Sequence, residues 1–450
     1  MKCELLNNIN KVFFVGIGGI SMSALSKLTH NNNIKIGGSD VVKTNLTESL
    51  KSFATIFYGH NKSNIIKFKP NLVVYSGAVN DNNPELLCAK QLNIPMVERS
   101  EFLGAICNNY KNVIAISGTH GKTTTTAMIA EIFKTAGLNP TVHIGGEVVN
   151  FNGNVLLGGN EFFITEACEY KKSFEHIKST CAVVTNVEPD HMDCYFNFND
   201  LLNSFKKFVD NSNFYVCDAN CVLNKKVNNK YAYFVGNNAN FEAKNLINNS
   251  GKFSYDVYEG GMFLTNIKLN VLGEYNVKNS LYAVAVARLF NIDANNIYNG
   301  LKNFNGVKRR NELLTIKDNV CFYADYCHHP TEIKNSLQNF KNIYNNILCV
   351  FQPHTYSRTK NLISEFSTCF KGVNKLIIFK TYAAREKYLE SGSETALFKC
   401  VKQKNKQLIL NNDKLISQLK TDFKNYDCVL IFGAGDVYSI VKNNLNNVVN

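Results

Sequence analysis

Residues 115–130 read AISGTHGKTTTTAMIA, and this stretch decides the fold at the centre of the chain. A strand pattern, NVIAIS, runs directly into Gly118, and a helical pattern follows from the threonines to Gly137. A strand, a glycine turn and a helix in this order favour anion binding, because backbone N–H groups converge at the helix N-terminus. The usual motif G-x-x-x-x-G-K-[ST] would require glycine at Ile116, whereas Gly118 stands two residues later. The sequence therefore predicts a phosphate-binding loop of shortened form.

Two side chains of this loop carry the expected chemistry. Lys122 supplies a positive charge for terminal phosphates, and the Thr123 hydroxyl is suited to Mg²⁺. The alternative is a threonine-capped helix after a glycine turn. A buried strand, two glycines and a Gly-Lys-Thr run are together more than a cap requires, so phosphate binding is favoured.

Acidic residues follow two further apolar runs. Glu166 closes FFITEA, and NVEPDHMD follows CAVVTNV with Glu188, Asp190, His191 and Asp193. Because the carboxyl ends of parallel strands meet at one edge of a sheet, these side chains are expected beside the loop. Each of them alone could be a solvated loop charge, but their convergence predicts a magnesium site.

Apolar runs of this kind recur along the whole chain and alternate with helical patterns, which predicts an α/β fold with parallel sheets. The turns divide the chain into three predicted domains, residues 1–107, 108–307 and 308–450. The first and third are expected to be Rossmann-like. The second is expected to be a P-loop ATPase-type domain with a parallel or mixed sheet.

Composition excludes several classes of protein. Lys+Arg 49 against Asp+Glu 36 gives a net charge of +13, but the lysines form no long run, so nucleic-acid binding is not predicted. The 14 cysteines include no C-x-x-C pair and fall largely in apolar runs, as reduced core thiols do. With no apolar segment long enough to span a membrane, we expect a cytoplasmic protein without membrane insertion.

Several motifs together resemble the Mur ligase family. GTHGKTTT, TEACEY and TNVEPDHMD resemble its ATP and Mg²⁺ segments, and FVGIGGISMSAL and YSGAVNDNNPEL resemble its UDP-binding domain. ADYCHHPTEI, FQPHTYSRT, TYAAREK and FGAGDVYSI resemble its C-terminal domain. The resemblance runs from end to end. It implies ATP-dependent joining of L-alanine to the lactyl carboxylate of UDP-N-acetylmuramate through an acyl phosphate.

The resemblance also implies a set of site residues. Those implied to bind ATP are Gly118, Thr119, His120, Gly121, Lys122, Thr123, Thr124, Asn276, Asn279 and Asp325. Those implied to hold Mg²⁺ are Thr123, Glu166 and His191. Those implied to take part in catalysis are Lys122, Glu166, His191, His328, His329 and Arg358. Those implied to bind the UDP-sugar and the amino acid are Gly16, Gly18, Gly19, Asp40, Ser76, Arg309 and Arg310. The third domain is expected to close on ATP and the amino acid.

The histidine pair is open to two interpretations. A neutral imidazole of His328 or His329 could accept the proton of the attacking amine. The pair could instead form a turn before Pro330, with one ring capping the next helix.

The sequence leaves several alternatives open. A ligase of the same family could add glycine, serine or a preformed peptide, because one methyl group changes pocket energy by only about 1–3 kcal/mol. A nicotinamide-dependent oxidoreductase would use the GIGG turn but leaves the glycine-lysine loop without a purpose. A nucleotide-hydrolysing switch would turn over ATP without a ligation product. The chain is expected to be a monomer or a homodimer.

Overall fold

A computed structural model of the chain describes residues 9–189, 192, 194–227, 231–384 and 386–449. It contains three β-sheets, and one sheet lies in each of the three predicted segments. This confirms the α/β fold class. The exact domain boundaries at residues 107 and 307 remain a prediction.

The first sheet has the strand order β3-β2-β1-β4-β5, and its pairs are parallel. Its strands are β1 (Lys11–Val15), β2 (Lys35–Asp40), β3 (Ala54–Tyr58), β4 (Leu72–Tyr75) and β5 (Met96–Glu98). Its helices are α1 (Ile20–His30), α2 (Asn45–Leu50), α3 (Lys62–Phe68), α4 (Pro84–Gln91) and α5 (Arg99–Cys107). The chain reverses direction across the sheet between β1 and β4, which is where doubly wound sheets bind ligands.

The second sheet has ten strands in the order β15-β14-β13-β12-β11-β10-β6-β9-β7-β8. The strands before the second acidic segment are β6 (Asn112–Ser117), β7 (Thr141–Val148), β8 (Gly153–Leu156), β9 (Phe162–Glu166) and β10 (Ser179–Val184). The later strands are β11 (Ser212–Asp218), β12 (Ala232–Val235), β13 (Phe241–Asn249), β14 (Lys252–Glu259) and β15 (Met262–Leu272). The helices are α6 (Lys122–Thr135), α7 (Phe198–Asp210), α8 (Tyr275–Leu289) and α9 (Ala294–Asn303). β6 pairs in parallel with both β9 and β10, so the two strands that precede the acidic segments flank the loop.

The third sheet has the order β16-β17-β21-β18-β19-β20, with β16 antiparallel to β17 and the other pairs parallel. Its strands are β16 (Glu312–Lys317), β17 (Val320–Asp325), β18 (Ile347–Phe351), β19 (Lys375–Phe379), β20 (Lys406–Ile409) and β21 (Cys428–Phe432). The longer helices are α10 (Pro330–Lys341), α12 (Ile363–Cys369), α13 (Glu394–Cys400), α14 (Asn412–Asp422) and α15 (Val437–Asn443). Two shorter helices are α11 (Tyr356–Asn361) and α16 (Leu445–Val449). Short 3-10 segments lie at Val149–Phe151, Tyr170–His176, Val222–Lys225, Glu390–Gly392 and Phe423–Asn425.

The central strands are buried on both faces. Every residue of β18 and β21 is buried, and so are five of the six residues of β6. Apolar runs without polar alternation are the sequence signature of such strands, because helices cover both sides of the sheet. The apolar runs NVIAIS, FFITEA and CAVVTNV, which predicted strands, form β6, β9 and β10, so the parallel fold could be recognised from sequence.

The chain divides into two compact units. The first comprises residues 1–246, 255–268 and 275–305, and so holds the first sheet and most of the second. The second unit comprises residues 247–254, 269–274 and 306–450, including the third sheet. Within the part of the chain that the structure describes, no helix has both the length and the apolar character needed to cross a bilayer.

Candidate active site

The predicted phosphate loop forms the turn between β6 and α6. Gly118 (φ 130°) and Gly121 (φ 84°) both adopt backbone angles that other residues rarely reach. A Cβ on Gly118 would clash with the Thr185 hydroxyl, and a Cβ on Gly121 would lie 2.6 Å from Asn279 Oδ1. The loop is therefore shaped by close approach of the end of β10 and of α8, and only glycine fits at these two positions.

The backbone amides of the loop have two different roles. The Thr119 N–H donates to the Asn186 carbonyl (3.1 Å), and the His120 N–H donates to Asn186 Oδ1 (2.9 Å). The first intrahelical bond of α6 begins at the Thr125 N–H. The amides of residues 121–124 precede it and lie at the helix N-terminus, where the dipole favours an anion. We therefore expect residues 121–124, more than the amides of Thr119 and His120, to bind phosphate.

Lys122 lies beneath the loop in an ion pair. Its Nζ donates to the Gly118 and Thr119 carbonyls and to Glu169 Oε1 at 2.9 Å, and the Glu169 side chain is 3% exposed. Burial lowers the pKa of Lys122, but the Glu169 carboxylate, with smaller contributions from Cys168 and Glu166, raises it by more, so that the pKa is raised on balance. Lys122 is therefore a permanent cation at neutral pH. Sequence reasoning missed Glu169, although it stands in the same TEACEY motif as Glu166.

Glu166 ends β9 at the edge of the sheet from which the loop begins. In the pairing of β9 with β6, Glu166 lies opposite Ile116, two residues before Gly118. The Gly145 N–H donates to Glu166 Oε1 at 2.8 Å, and a Cβ on Gly145 would lie 3.1 Å from Glu166 Oε2. The carboxylate is thus held by β7 as well as by its own strand. The structure brings Glu166 to the loop, as the sequence predicted.

Two of the three predicted magnesium ligands lie among the described residues. Thr123 is the second residue of α6, and Glu166 lies at the same edge of the sheet, whereas His191 lies outside the described residues. Across the described ranges, no three His, Cys, Asp or Glu side chains group closely enough to hold a metal alone. A hydroxyl and one carboxylate, completed by phosphate oxygens and water, are the donors that Mg²⁺ takes in nucleotide sites. The residues present therefore fit Mg²⁺ that binds together with a nucleotide.

The predicted asparagine pair also lies beside the loop. Asn276 and Asn279 are buried on α8, and Asn279 Nδ2 donates to Asn276 Oδ1 at 2.9 Å. Asn279 Oδ1 is the atom that a Cβ on Gly121 would meet. These two residues are therefore part of the wall behind the phosphate loop.

The predicted UDP-sugar residues gather where β1 and β2 end. Gly16 (φ 84°) donates its N–H to the Ser39 carbonyl at 2.9 Å, and the Gly18 N–H donates to Asp40 Oδ2 at 2.9 Å. Gly19 is the N-cap of α1, and a Cβ on Gly16 would make an ordinary contact with Ser76 at 3.6 Å. The five predicted residues thus surround one turn, and Asp40 braces that turn.

Gly18→Ala is expected to weaken UDP-sugar binding selectively. The new Cβ would lie 2.7 Å from Asp40 Oδ2 and 2.8 Å from Thr47, so the Gly18–Asp40 bond must open. Overpacking of this kind costs about 1–3 kcal/mol, so we expect roughly 10-fold weaker binding in calorimetry. Gly153→Ala, where the nearest atom is 3.9 Å away, is the matched control. Equal UDP-sugar affinity in both variants would contradict the assignment of this turn.

In the second unit, the predicted histidine pair separates into two roles. His329 is the N-cap of α10 and accepts from the Thr331 N–H at 3.3 Å, within a capping box completed by Glu332. His328 Nδ1 lies 3.0 Å from the Tyr326 carbonyl, which can only accept, so Nδ1 carries the proton and Nε2 is an acceptor. Burial lowers the pKa of His328, so the ring is neutral at pH 7.

His328 and Arg358 meet through a histidine that sequence reasoning did not select. The His354 ring lies 5.7 Å from the His328 ring, and Arg358 Nη1 donates to His354 Nδ1 at 3.1 Å. Burial, with the neighbouring His328 and Arg358, lowers the pKa of His354 to about 4. His354 was visible in the motif FQPHTYSRT, but nothing in its spacing distinguished it from a turn residue.

Other predicted residues of the second unit are engaged in packing. Arg309 lies between the rings of Tyr326 and Tyr438, and its Nη2 donates to the Gly433 and Gly435 carbonyls at 2.7 and 3.1 Å. Its backbone is left-handed (φ 61°), so this position is strained. Arg309 therefore braces the glycine turn after β21.

Asp325 is buried, and the charge of the exposed Arg310 acts on it. Partial desolvation lowers the pKa of Arg310, but the neighbouring Glu332 and Asp325 carboxylates, with Cys327 and Tyr326, together raise it. Asp325 accepts from the backbone of Cys327 at 3.2 Å and from Asn311 at 3.2 Å. These bonds tie the end of β17 to the turn that follows it. A direct role for either residue in ligand binding remains a prediction.

Comparisons with known proteins match this geometry over the whole chain. The Mur ligase family, catalytic domain, matches residues 11–111; the Mur ligase middle domain matches 116–287; and the Mur ligase, glutamate ligase domain, matches 309–435. The UDP-N-acetylmuramate–L-alanine ligase of Clostridium novyi is 40% identical, with 97% of each chain covered. The ligase of the same name from Clostridium tetani is 41% identical over 97% of this chain and 98% of its own.

One solved structure is similar over its entire length. The crystal structure of a UDP-N-acetylmuramate–alanine ligase from Thermotoga maritima superposes with a TM-score of 0.85 at 26% identity. The match covers 98% of this chain and 99% of that one.

Proposed function

Because the chain belongs to the Mur ligase family, and is therefore an ATP-dependent ligase, we propose that it joins L-alanine to the lactyl carboxylate of UDP-N-acetylmuramate. The products are UDP-N-acetylmuramoyl-L-alanine, ADP and phosphate, and the step belongs to peptidoglycan precursor synthesis. The observation that carries the proposal is the near full-length match to relatives named for this reaction. The glycine loop formed by Gly118 and Gly121 at the N-terminus of α6 supports the binding of ATP phosphates.

The reaction needs ATP because a carboxylate does not react with an amine at neutral pH. Transfer of the γ-phosphoryl group converts the carboxylate into an acyl phosphate, which has a good leaving group. The amine of L-alanine then attacks the acyl carbon, and phosphate leaves. Both steps bring negative charges together, so the site must supply fixed positive charge and N–H donors.

The loop provides those groups in the first unit. Lys122 and the amides of residues 121–124 would bind the β- and γ-phosphates. Mg²⁺ would neutralise charge on the transferred phosphoryl group, and Thr123 and Glu166 would hold it. Binding ATP requires the Lys122 ammonium to exchange part of its bonding to Glu169 or to the loop carbonyls for phosphate oxygens.

For the amine proton, the geometry favours His328 over His329. A base needs a free lone pair, and His328 is neutral with Nε2 as its acceptor. The ring of His329 already accepts the Thr331 N–H as a helix cap. We assign the proton-accepting role to His328; Arg358 supplies the positive charge near that ring and donates to His354, which lies beside His328.

ADP formation with each substrate omitted in turn tests the proposal. We expect turnover only when ATP, Mg²⁺, UDP-N-acetylmuramate and an amino acid are all present. L-alanine should be preferred to glycine by roughly 10-fold, the discrimination expected of one methyl group, and to L-serine by about 10- to 100-fold, since an apolar pocket rejects an added hydroxyl only moderately. A preference for a tripeptide would identify a peptide-adding ligase instead. ATP turnover that ignores the UDP-sugar would identify a nucleotide-hydrolysing switch.

Two further statements belong to the same proposal. A cytoplasmic location would place the enzyme with its ATP and nucleotide-sugar substrates. The assembly is proposed to be a monomer or a homodimer, which light scattering with size-exclusion chromatography would decide.

A further inference from the structure

A chain of hydrogen bonds joins the first sheet's helices to the strand that carries Glu166. Arg99 Nη1 donates to Ser21 Oγ at 3.4 Å, and Ser21 Oγ lies 3.0 Å from His143 Nε2. His143 Nδ1 lies 2.9 Å from Thr165 Oγ1, and that hydroxyl donates to the Glu166 carbonyl at 3.0 Å. Every contact is within the first compact unit. The chain thus runs from the start of α5, through α1 and β7, to the end of β9.

The two ends of this chain fix its direction. A guanidinium can only donate, and a backbone carbonyl can only accept. The Ser21 hydroxyl receives the Arg99 N–H, and when the His143 ring is neutral with its proton on Nδ1 it donates to Nε2. His143 Nδ1–H then donates to Thr165, whose own proton goes to the Glu166 carbonyl. With a neutral imidazole, each donor and acceptor in this series is used once.

The centre of the chain is sealed from water. Thr165 is fully buried and His143 is 3% exposed. Burial, with the Arg99 charge nearby, lowers the pKa of His143 to about 3, in agreement with the neutral ring. A buried polar group that loses its partner destabilises the fold, so these groups hold one another in place.

β7 controls Glu166 through a second contact. Two residues after His143, the Gly145 N–H donates to Glu166 Oε1. The close approach of Gly145 leaves the carboxylate little freedom, since a Cβ there would lie 3.1 Å from Oε2. A shift of the His143 ring would therefore move both the Glu166 backbone and the strand that holds its side chain.

Arg99 is the first residue in this series of hydrogen bonds. Its side chain is partly buried, and no carboxylate of the described residues lies within ion-pair distance of it. Its charge acts on His143 and on Cys168, two residues beyond Glu166, so it lies near the reacting edge of the second sheet. A partly buried guanidinium in this setting is suited to a carboxylate.

We propose that Arg99 binds the lactyl carboxylate of the UDP-sugar and that His143 is a positioning residue, through which this binding fixes Glu166 for Mg²⁺–ATP. The inference rests on the proposed function. It predicts reciprocal coupling, in which the UDP-sugar tightens binding of Mg²⁺ with an ATP analogue and the analogue tightens binding of the UDP-sugar to the same degree.

Calorimetry on the full chain tests the coupling with a non-hydrolysable ATP analogue and Mg²⁺, with and without UDP-N-acetylmuramate. We expect the UDP-sugar to tighten analogue binding by about 5-fold or more, within the usual range of allosteric coupling. UDP-N-acetylglucosamine has the diphosphate but no lactyl carboxylate, so we expect it to bind without coupling. Equal coupling by both sugars would assign Arg99 to the diphosphate and overturn the proposal.

Variants test whether the coupling between the two ligands passes through the hydrogen bonds from Arg99 to Glu166. Thr165→Val keeps the side-chain shape but removes the hydroxyl, and we expect it to reduce the coupling to less than about 2-fold, whereas Thr165→Ser retains it. Thr141→Val is the matched control. The Thr141 hydroxyl is also buried on β7, but it donates to the Gly159 carbonyl and takes no part in the series of hydrogen bonds from Arg99 to Glu166. Ser21→Ala breaks the chain at the other end and should match Thr165→Val, which guards against misfolding of one variant.

The outcomes separate this inference from the proposed function. Full coupling in both Thr165→Val and Ser21→Ala, or no coupling in the unmodified protein, would overturn the role of His143 while ligation continued. Failure of the unmodified protein to bind UDP-N-acetylmuramate at all would instead overturn the proposed function.

Discussion

Lys122→Met is expected to lower the ligation rate by about 10²- to 10³-fold or more, the effect of removing one preorganised donor to developing charge. The affinity for UDP-N-acetylmuramate should stay within about twofold, because the site proposed for that substrate lies at the first sheet, whereas the Lys122 charge is proposed to act on the phosphates of ATP. Initial rates of ADP formation and calorimetry with the UDP-sugar measure the two effects separately.

The ion pair with Glu169 complicates this experiment and supplies its control. Removing Lys122 leaves a carboxylate that is 3% exposed without its cation, and breaking a buried pair costs about 3–5 kcal/mol. Lys122→Met should therefore also lower the free energy of unfolding. The double variant Lys122→Met/Glu169→Gln should recover much of that stability but none of the ligation rate. Recovery of activity in the double variant would show that Lys122 acts only through folding.

Glu166→Gln is expected to raise the Mg²⁺ concentration needed for half-maximal rate by at least about 10- to 100-fold, the usual cost of losing a group that supports a metal. The amide keeps the size of the side chain and can still accept from the Gly145 N–H. The change therefore tests charge and metal binding more than shape. A magnesium titration of the ligation rate measures it.

Glu161→Gln provides the comparison at the opposite end of the same strand. Glu161 precedes β9, is 57% exposed and lies 3.5 Å from Lys111, away from the loop. It should leave the magnesium titration unchanged. Equal titrations for Glu166→Gln and the unmodified protein would remove Glu166 from the metal site.

The fold could be predicted largely because its signals are local. The apolar runs of β6, β9 and β10 needed only their own residues to be recognised as strands covered on both faces. The phosphate loop could be predicted from two glycines, a lysine and the start of a helix, and both glycines have positive φ in the structure. The position of Glu166 beside the loop could be predicted from the parallel pairing of β6 and β9, in which Glu166 lies opposite Ile116.

The remainder of the site depends on contacts between distant parts of the chain. His143 meets Ser21 across 122 positions, and no spacing rule connects them. Glu169 was overlooked because a carboxylate in a polar motif reads as solvated until its burial against Lys122 is known. The division of labour between His328 and His329 likewise depends on which ring the next helix uses as its cap.

The fate of the lactyl carboxylate oxygens tests the central claim most directly. UDP-N-acetylmuramate carrying isotopically heavy oxygen in that carboxylate should transfer one labelled oxygen to each phosphate released, as mass spectrometry can detect. Phosphorylation of the carboxylate forms the new oxygen–phosphorus bond, and attack by L-alanine breaks the carbon–oxygen bond. Released phosphate that carries no label, with the amide product still formed, would contradict an acyl phosphate and with it the role given to the loop around Lys122.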